Sequence, residues 1–276
     1  MNHLVTVAGK EFRDGLRNRW VLAITLVFGL LAIGLAYFGA AASGQVGFTG
    51  VATTIVSLSS LAVFLIPLIA LLLAYDSIVG EDEQGTLLLL LTYPISRVEI
   101  LAGKFLGHAA ILGVSTLVGF GVAGLVIAAF GNHENLGQLL AALALFILSA
   151  TLLGWAFIGF AYLISVSVSE KSRAAGIALV VWFAFVLVFD LLLLGLLVGT
   201  GGEVSQGLFH VLLLLNPADI FRIVNLTFFE AARTQAGLAS IGADAAFHPA
   251  LLLGALLAWV VVPLGLALWI FRRREA

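Results

Sequence analysis

Cysteine is absent from the 276 residues, and methionine occurs once, at position 1. Without thiolate donors, disulfides, iron–sulfur clusters and thiolate zinc sites are excluded, and a soft-ligand copper(I) pathway lacks its usual ligands. The five histidines (His3, His108, His133, His210 and His248) include no i, i+4 pair, so no metal site is expected. A phosphate loop is missing too: Lys171-Ser172 lacks the glycines that would precede it. No nucleophile–base–acid set stands out, so no enzyme activity is expected of this chain and no cofactor is expected in it. Charge is also scarce. Only 10% of residues are Asp, Glu, Lys or Arg, against about a quarter in a soluble domain. Hydrophobic residues make up 62%, and the mean hydropathy is +1.17. That mixture cannot form a water-soluble surface, so the chain reads as an all-α polytopic membrane protein.

A helix needs about 20 apolar residues to cross the hydrocarbon layer. No charged residue occurs from Trp20 to Tyr75, and Gly44, Gln45, Gly47 and Gly50 divide that stretch in two. Six spans are predicted, near residues 20–42, 53–75, 105–130, 138–165, 174–198 and 250–271. Eleven of the thirteen basic residues fall on one side: Lys10, Arg13, Arg17 and Arg19 before the first span, Arg97 and Lys104 after the second, Lys171 and Arg173 after the fourth, and Arg272, Arg273 and Arg274 at the end. The opposite side has only Arg222 and Arg233. The bias predicts both termini in the cytoplasm. Ala40-Ala41-Ala42 resembles a signal cleavage site, but the apolar run before it is longer than a signal core, and an uncleaved first span is expected.

Before that span, Leu4, Ala8, Phe12, Leu16 and Trp20 recur every four residues, with Lys10, Arg13, Asp14 and Arg17 mainly opposite. This predicts an amphipathic interfacial helix over 3–19, with Phe12, Arg13, Arg17 and Trp20 at the membrane interface. Asp190 is the one acid inside a span, an intramembrane polar group suited to a pathway or to a polar contact in a dimer interface, or else to reaching the outer headgroups or bonding within its own bundle. Residues 199–249 form the only long outer segment. Within it, Asn216-Pro217-Ala218-Asp219 has the form of a helix start, and Ile220, Phe221, Val224 and Phe228 fall on one stripe of the helix that follows. The expectation is a short entering helix, a break, and a second helix on the outer surface. Small residues at four-residue spacing, such as Gly103-Gly107 and Ala150-Gly154, suit close helix packing.

The segment 76–104 joins the second and third spans. Glu81, Asp82 and Glu83 suit the positive end of a short helix whose leucine-rich body, Leu87 to Leu91, buries one side and offers the other to a partner. Pro94 disfavours helix at Tyr93. Ser96-Arg97-Val98-Glu99 has the form of a capping box that opens a helix into the third span. A solvated loop, its acids merely keeping a greasy hairpin soluble, is the alternative.

Glu81-Asp82-Glu83-Gln84-Gly85-Thr86-Leu87 followed by Pro94 resembles the E-x-x-x-G-T…L…P signature of bacterial ABC-exporter permease subunits. The six spans, the interfacial helix and the broken outer segment are similar to that family along the whole chain. Within it, the likeness is greatest to permeases of nitrous oxide reductase maturation. The resemblance implies a homodimer in the bacterial inner membrane, paired with a cytosolic ATPase that carries ATP and Mg²⁺. Residues Glu81, Asp82, Glu83, Gln84, Gly85, Thr86 and Arg97 would couple to that ATPase. Asn216, Pro217, Phe221 and Arg222 would face a periplasmic accessory protein. The implied cargo is a sulfur species for the copper centre of the reductase, and no nucleic acid is involved. Relay of ATPase motion without cargo, copper transport and ion-coupled secondary transport remain open alternatives.

Overall fold

The computed structural model describes residues 3–17, 19–38, 47, 51–130, 136–227 and 247–274. Expectations concerning Ala40–Ala42, Gly44, Gln45, Gly50, His133, Phe228 and Arg233, and the side chain of Trp20, lie outside the described residues. Among the described residues every regular element is a helix. In chain order these are α1 (His3–Arg17), α2 (Trp20–Phe38), α3 (Val51–Ala74), α4 (Val79–Glu83), α5 (Thr86–Thr92), α6 (Arg97–Phe130), α7 (Leu136–Ser167) and α8 (Lys171–Phe183). A π-helical turn (Ala184–Val188) then leads to α9 (Phe189–Gly199), α10 (Gln206–Leu214), α11 (Pro217–Thr227) and α12 (Pro249–Arg273).

Among the described residues six stretches, 21–38, 54–83, 97–130, 136–167, 171–199 and 250–273, are long and apolar enough to cross a membrane, the number predicted. About half of the most apolar window is buried in the second, third and fourth (50, 50 and 56%), against 28, 17 and 28% in the first, fifth and sixth. The helices α3, α6 and α7 therefore form the centre. The others turn residues such as Leu30, Leu192 and Val261 outward.

Helices in lipid gain little from the hydrophobic effect, so close packing must hold them. Glycines on α6 and α7 supply it. A Cβ added at Gly119 would stand 2.8 Å from the Phe28 Cβ and 2.9 Å from the Thr25 carbonyl oxygen, so α2 lies against bare α6 backbone. Gly154 on α7 likewise makes room for Leu112 of α6. The predicted Ala150-Gly154 seam is thus spent on packing within the chain. Aromatic rings then tie four elements in series: Phe28 stacks on Phe120 (4.8 Å), Phe120 meets Phe146 edge-on (4.9 Å), and Phe146 meets Phe221 (5.8 Å).

The outer segment corrects the sequence reading. The helix start is as predicted: Asn216 Oδ1 accepts the Ala218 backbone N–H at 2.9 Å, with Pro217 first in α11. The axis bends by 111° between α10 and α11. But α11 does not lie on the surface. Asn216, Pro217, Ile220, Phe221, Ile223, Val224 and Asn225 are all buried, with α11 packed against α3, α7 and α12. The predicted outer-partner contacts Asn216, Pro217, Phe221 and Arg222 therefore face the bundle. The cause is a polar stripe that finds its partners inside. Asn225 Nδ2 donates to Ser149 Oγ (3.0 Å) and Asn216 Nδ2 to the Phe185 carbonyl (2.9 Å), within the π-helical turn. Arg222 Nη1 bonds Asp190 (2.6 Å) and Asp219 (3.0 Å). Asp190 is thus held in a polar contact between the fifth span and the broken pair.

Removing Asp190 leaves Arg222 with Asp219 alone and takes away a charged hydrogen bond where water is scarce. Asp190→Ala is expected to cost about 2 kcal/mol, the worth of a hydrogen bond to a charged group. The exchange Asp190→Arg with Arg222→Asp should recover part of that loss. Thermal unfolding of the purified protein checks both; equal melting of single and double variants would contradict the pairing.

Candidate functional site

At one end of the bundle the N-terminal helix, the 75–97 hairpin, the α7–α8 turn and the end of α12 meet. The hairpin starts from a borrowed cap. Ser165 Oγ of α7 accepts the backbone N–H groups of Ile78 (3.0 Å) and Val79 (3.1 Å), donors that the start of α4 leaves unpaired. Ile78, Val79 and Gly80 are buried beneath it.

The predicted single acidic-then-leucine helix is in fact two. Gly85 has φ of 70°, a left-handed conformation that glycine adopts without strain, and it separates α4 from α5. Glu81, Asp82 and Glu83 therefore belong to α4, while the leucines form α5. Leu87 is buried and Leu91 packs on the core, whereas Leu88 (55% exposed) and Leu89 (63%) point away from the bundle, with Tyr93 beside them. Gln84, Gly85 and Thr86 are exposed at the bend. Beyond Pro94 the predicted capping box is present: Glu99 Oε2 accepts the Ser96 backbone N–H (2.8 Å), and Ser96 Oγ accepts that of Glu99 (3.2 Å).

All three acids are engaged within the chain. Glu81 Oε1 meets Lys104 Nζ at 2.7 Å. Asp82 Oδ2 meets Arg274 Nη2 at 2.8 Å. Glu83 Oε1 accepts the Lys171 backbone N–H at 2.6 Å, and Lys171 Nζ reaches Asp76 at 2.5 Å. Arg97 also turns inward. Its guanidinium donates to the carbonyls of Phe271 (2.7 Å) and Arg274 and so closes the C-terminal end of α12. What remains open to a partner is the Leu88–Leu89–Tyr93 ridge and the bend before it.

Lys104 is the centre of this arrangement. Its ammonium also holds Glu11 Oε1 of α1 at 2.7 Å. The side chains of Lys104, Glu11 and Glu81 are 4, 11 and 19% exposed. Glycine brings α1 within reach: a Cβ at Gly107 would stand 2.5 Å from the Glu11 Cβ, and one at Gly103 would stand 2.9 Å from the Leu4 carbonyl oxygen. The inner face of α1 is thus Leu4, Val7, Ala8, Glu11 and Gly15. Phe12 packs at its side, and Arg13 and Arg17 are exposed as expected. Leu16, assigned to the apolar face from its spacing, is half exposed; Gly15 meets Ile111 in its place. The sequence reading missed Glu11 and the pairing of Lys104. The available signal was an acid on the apolar side of α1.

Sequence comparison bears on what this end of the molecule serves. The sequence model of the family described as ABC-2 family transporter protein matches residues 5–276. The chain belongs to this family. It is 58% identical, over 274 residues and 99% of both chains, to the probable ABC transporter permease protein NosY of Stutzerimonas stutzeri. It is 54% identical, over 269 residues and 98% of both chains, to the protein of the same name from Pseudomonas aeruginosa PAO1. The chain is accordingly a multi-pass permease subunit of an ABC transporter, a membrane component that works with an ATPase subunit. The acidic–leucine hairpin lies between the second and third spans of this ABC-2 permease.

Two outcomes follow from the Lys104 cluster. Lys104→Met leaves two half-sequestered carboxylates without their cation and should cost about 3–5 kcal/mol, as loss of one member of a buried pair does. A melting temperature unchanged in detergent would contradict this. Burial pushes the Glu11 carboxyl up, but the Lys104 ammonium and its hydrogen bond pull it further down, and it titrates below the ordinary 4.5. A depressed folded-state value stabilises above the ordinary range, and that contribution is lost as pH falls through the folded value. Melting temperature should therefore drop on going from pH 7 to below 4.5, and Glu11→Gln should make that drop smaller.

Proposed function

We propose that the chain is the permease of a NosDFY-type exporter: two copies in the bacterial inner membrane, two copies of a cytosolic NosF-like ATPase, and a periplasmic NosD-like accessory protein. The reading is carried by the full-length likeness to the two NosY permeases. The charge bias supports a cytoplasmic position for the clasped end. There, α5 presents Leu88, Leu89 and Tyr93 to a groove of the ATPase, which holds ATP and Mg²⁺. Closure of the ATPase on ATP presses this ridge, and the ion pairs carry the displacement into α1, α6, α8 and α12. The cargo is a sulfur species delivered for the copper centre of nitrous oxide reductase, in keeping with a chain that has no cysteine and a single methionine.

A second reading, relay of motion to the periplasmic partner without passage of cargo, is favoured by one observation. The charged groups inside the bundle, Asp190, Asp219 and Arg222, are paired with one another rather than arranged along a path.

Leucines 88 and 89 test the docking surface better than the acids do, because changing Glu81–Glu83 would also break the clasp. Burying a leucine is worth about 1.5–3 kcal/mol. Leu88→Asp with Leu89→Asp should therefore lower retention of the ATPase on the solubilised permease at least about tenfold, while the permease itself elutes normally. Full retention would place the ATPase elsewhere. Reductase from cells carrying this variant should lack acid-labile sulfide at its copper centre; normal sulfide would remove the cargo assignment. Accumulation of radiolabelled sulfur in vesicles holding the intact complex separates passage from relay.

A further inference from the structure

The ends of α7, α8 and α12 enclose a cleft of about 650 Å³ whose lining includes Ser167, Ser169, Arg173, Trp269, Arg273 and Arg274. Three guanidinium groups border one space. Two of them have carboxylate partners: Arg173 pairs with Glu170 at 3.0 Å and Arg274 with Asp82 at 2.8 Å. Arg273 lies instead over the indole of Trp269, 4.2 Å from the ring centroid. Arg274 Nη1 is buried and has no hydrogen-bond partner among the described residues. Among the described residues the cleft therefore carries one positive charge in excess of its carboxylates, and one of its arginines has a donor to spare.

Its position narrows the occupant. Arg173 opens the fifth span, and Arg273 closes the sixth. Moving toward the middle of the bundle, α8 exposes Ile177 and Val180, and α12 exposes Leu266, Val262 and Val261. With α8 and α12 in spans long and apolar enough to cross a membrane, the cleft lies where their exposed apolar faces would meet a headgroup layer. The exposed Trp269 ring sits at the level that tryptophan favours in membrane proteins. Planar guanidinium groups match phosphate oxygens in pairs, which an ammonium does not. Serine hydroxyls at 167 and 169 add neutral donors to the same wall.

We propose that this cleft binds the phosphodiester headgroup of an anionic phospholipid, with the acyl chains lying along the exposed apolar residues of α8 and α12. A phosphatidylglycerol headgroup brings one negative charge and free hydroxyls. A phosphatidylcholine headgroup brings a trimethylammonium group into a cluster of arginines and is disfavoured. The site abuts the Asp82–Arg274 pair, so an occupied cleft braces the same hairpin that the clasp holds. The proposal does not depend on the identity of the cargo.

The test uses the permease purified with its ATPase and reconstituted in nanodiscs of equal phosphatidylglycerol and phosphatidylcholine, then released for native mass spectrometry. The wild type should retain phosphatidylglycerol in preference to phosphatidylcholine. Arg273→Glu should cut that retention at least about fivefold, the contribution of one basic residue at an anionic surface. Arg273→Lys should fall between them. Arg173→Glu, on the exposed side of the cleft, provides a second reading if Arg273→Glu fails to assemble. Equal retention of both lipids, or retention unchanged in both variants, overturns the proposal. So does displacement of all bound lipid by millimolar inorganic phosphate with the same dependence on Arg273, which would make the site one for a free anion. Loss of the ATPase in Arg273→Glu with lipid retention unchanged would make the cleft a protein contact instead.

Discussion

One ammonium group between two carboxylates organises the clasped end of this permease. Lys104, at the foot of α6, holds Glu11 from α1 and Glu81 from α4, each at 2.7 Å. A lysine this sequestered is costly to desolvate and keeps its place only if its charge is met. Two elements distant in sequence are thereby fixed to a third. The outer pairs, Asp82 with Arg274 and Asp76 with Lys171, extend the same logic to α12 and α8. The hairpin is consequently anchored on several sides, although its own helices are too short to be stable alone.

The fifth span and the broken pair repeat the solution, again with one cation between two carboxylates. There Arg222 sits between Asp190 and Asp219. The π-helical turn at Ala184–Val188 places the Phe185 carbonyl where Asn216 can donate to it, so the bend of 111° is tied to an irregularity in the neighbouring span. Both clusters use hydrogen-bonded charge to fix the register of elements that apolar packing alone would leave free to slide, since most of the surrounding side chains are interchangeable Leu, Val and Ala. Glycine performs the complementary task. Gly103, Gly107 and Gly119 form a track on α6 along which α1 and α2 lie at backbone distance.

The spans were legible because length and hydropathy over 20 residues are a strong signal, and the caps at Asn216 and Ser96 were legible because they are local. The pairings were not, because they join residues far apart in the chain. Glu11 and Lys104 are separated by 93 positions and Asp82 and Arg274 by 192. Neither partner of a pair announces the other. The reading of α11 as a surface helix failed for a related reason. An apolar stripe opposite Asn216, Asp219, Arg222 and Asn225 is the pattern of an interfacial helix, and the pattern alone cannot tell water from a buried Ser149 or Asp190 as the polar partner. The acids and the leucines read as one helix because Gly85 has the place of a motif residue in the sequence. Its positive φ, a property of the backbone, is what separates the acids of α4 from the leucines of α5.

The inward turn of the acids bears on how force enters the molecule. An acidic surface offered to a partner would meet it through solvated charges, and such contacts are weak and screened by salt. A leucine ridge buries apolar area instead and resists being pushed sideways once seated. With the acids paired within the chain, the same short segment would offer a hydrophobic outer face to the proposed partner and an ionic face to its own bundle. In the proposed docking, a push on α5 would pass through α4 to Lys104, and from there into α6. That helix runs unbroken for 34 residues, about 51 Å at the α-helical rise, so in that docking motion of its foot would be carried along the bundle. There α7, packed along α6, bonds through Ser149 to Asn225 of the broken pair. The covalent chain is not the shortest route between the two charged clusters; the packed pair α6–α7 is.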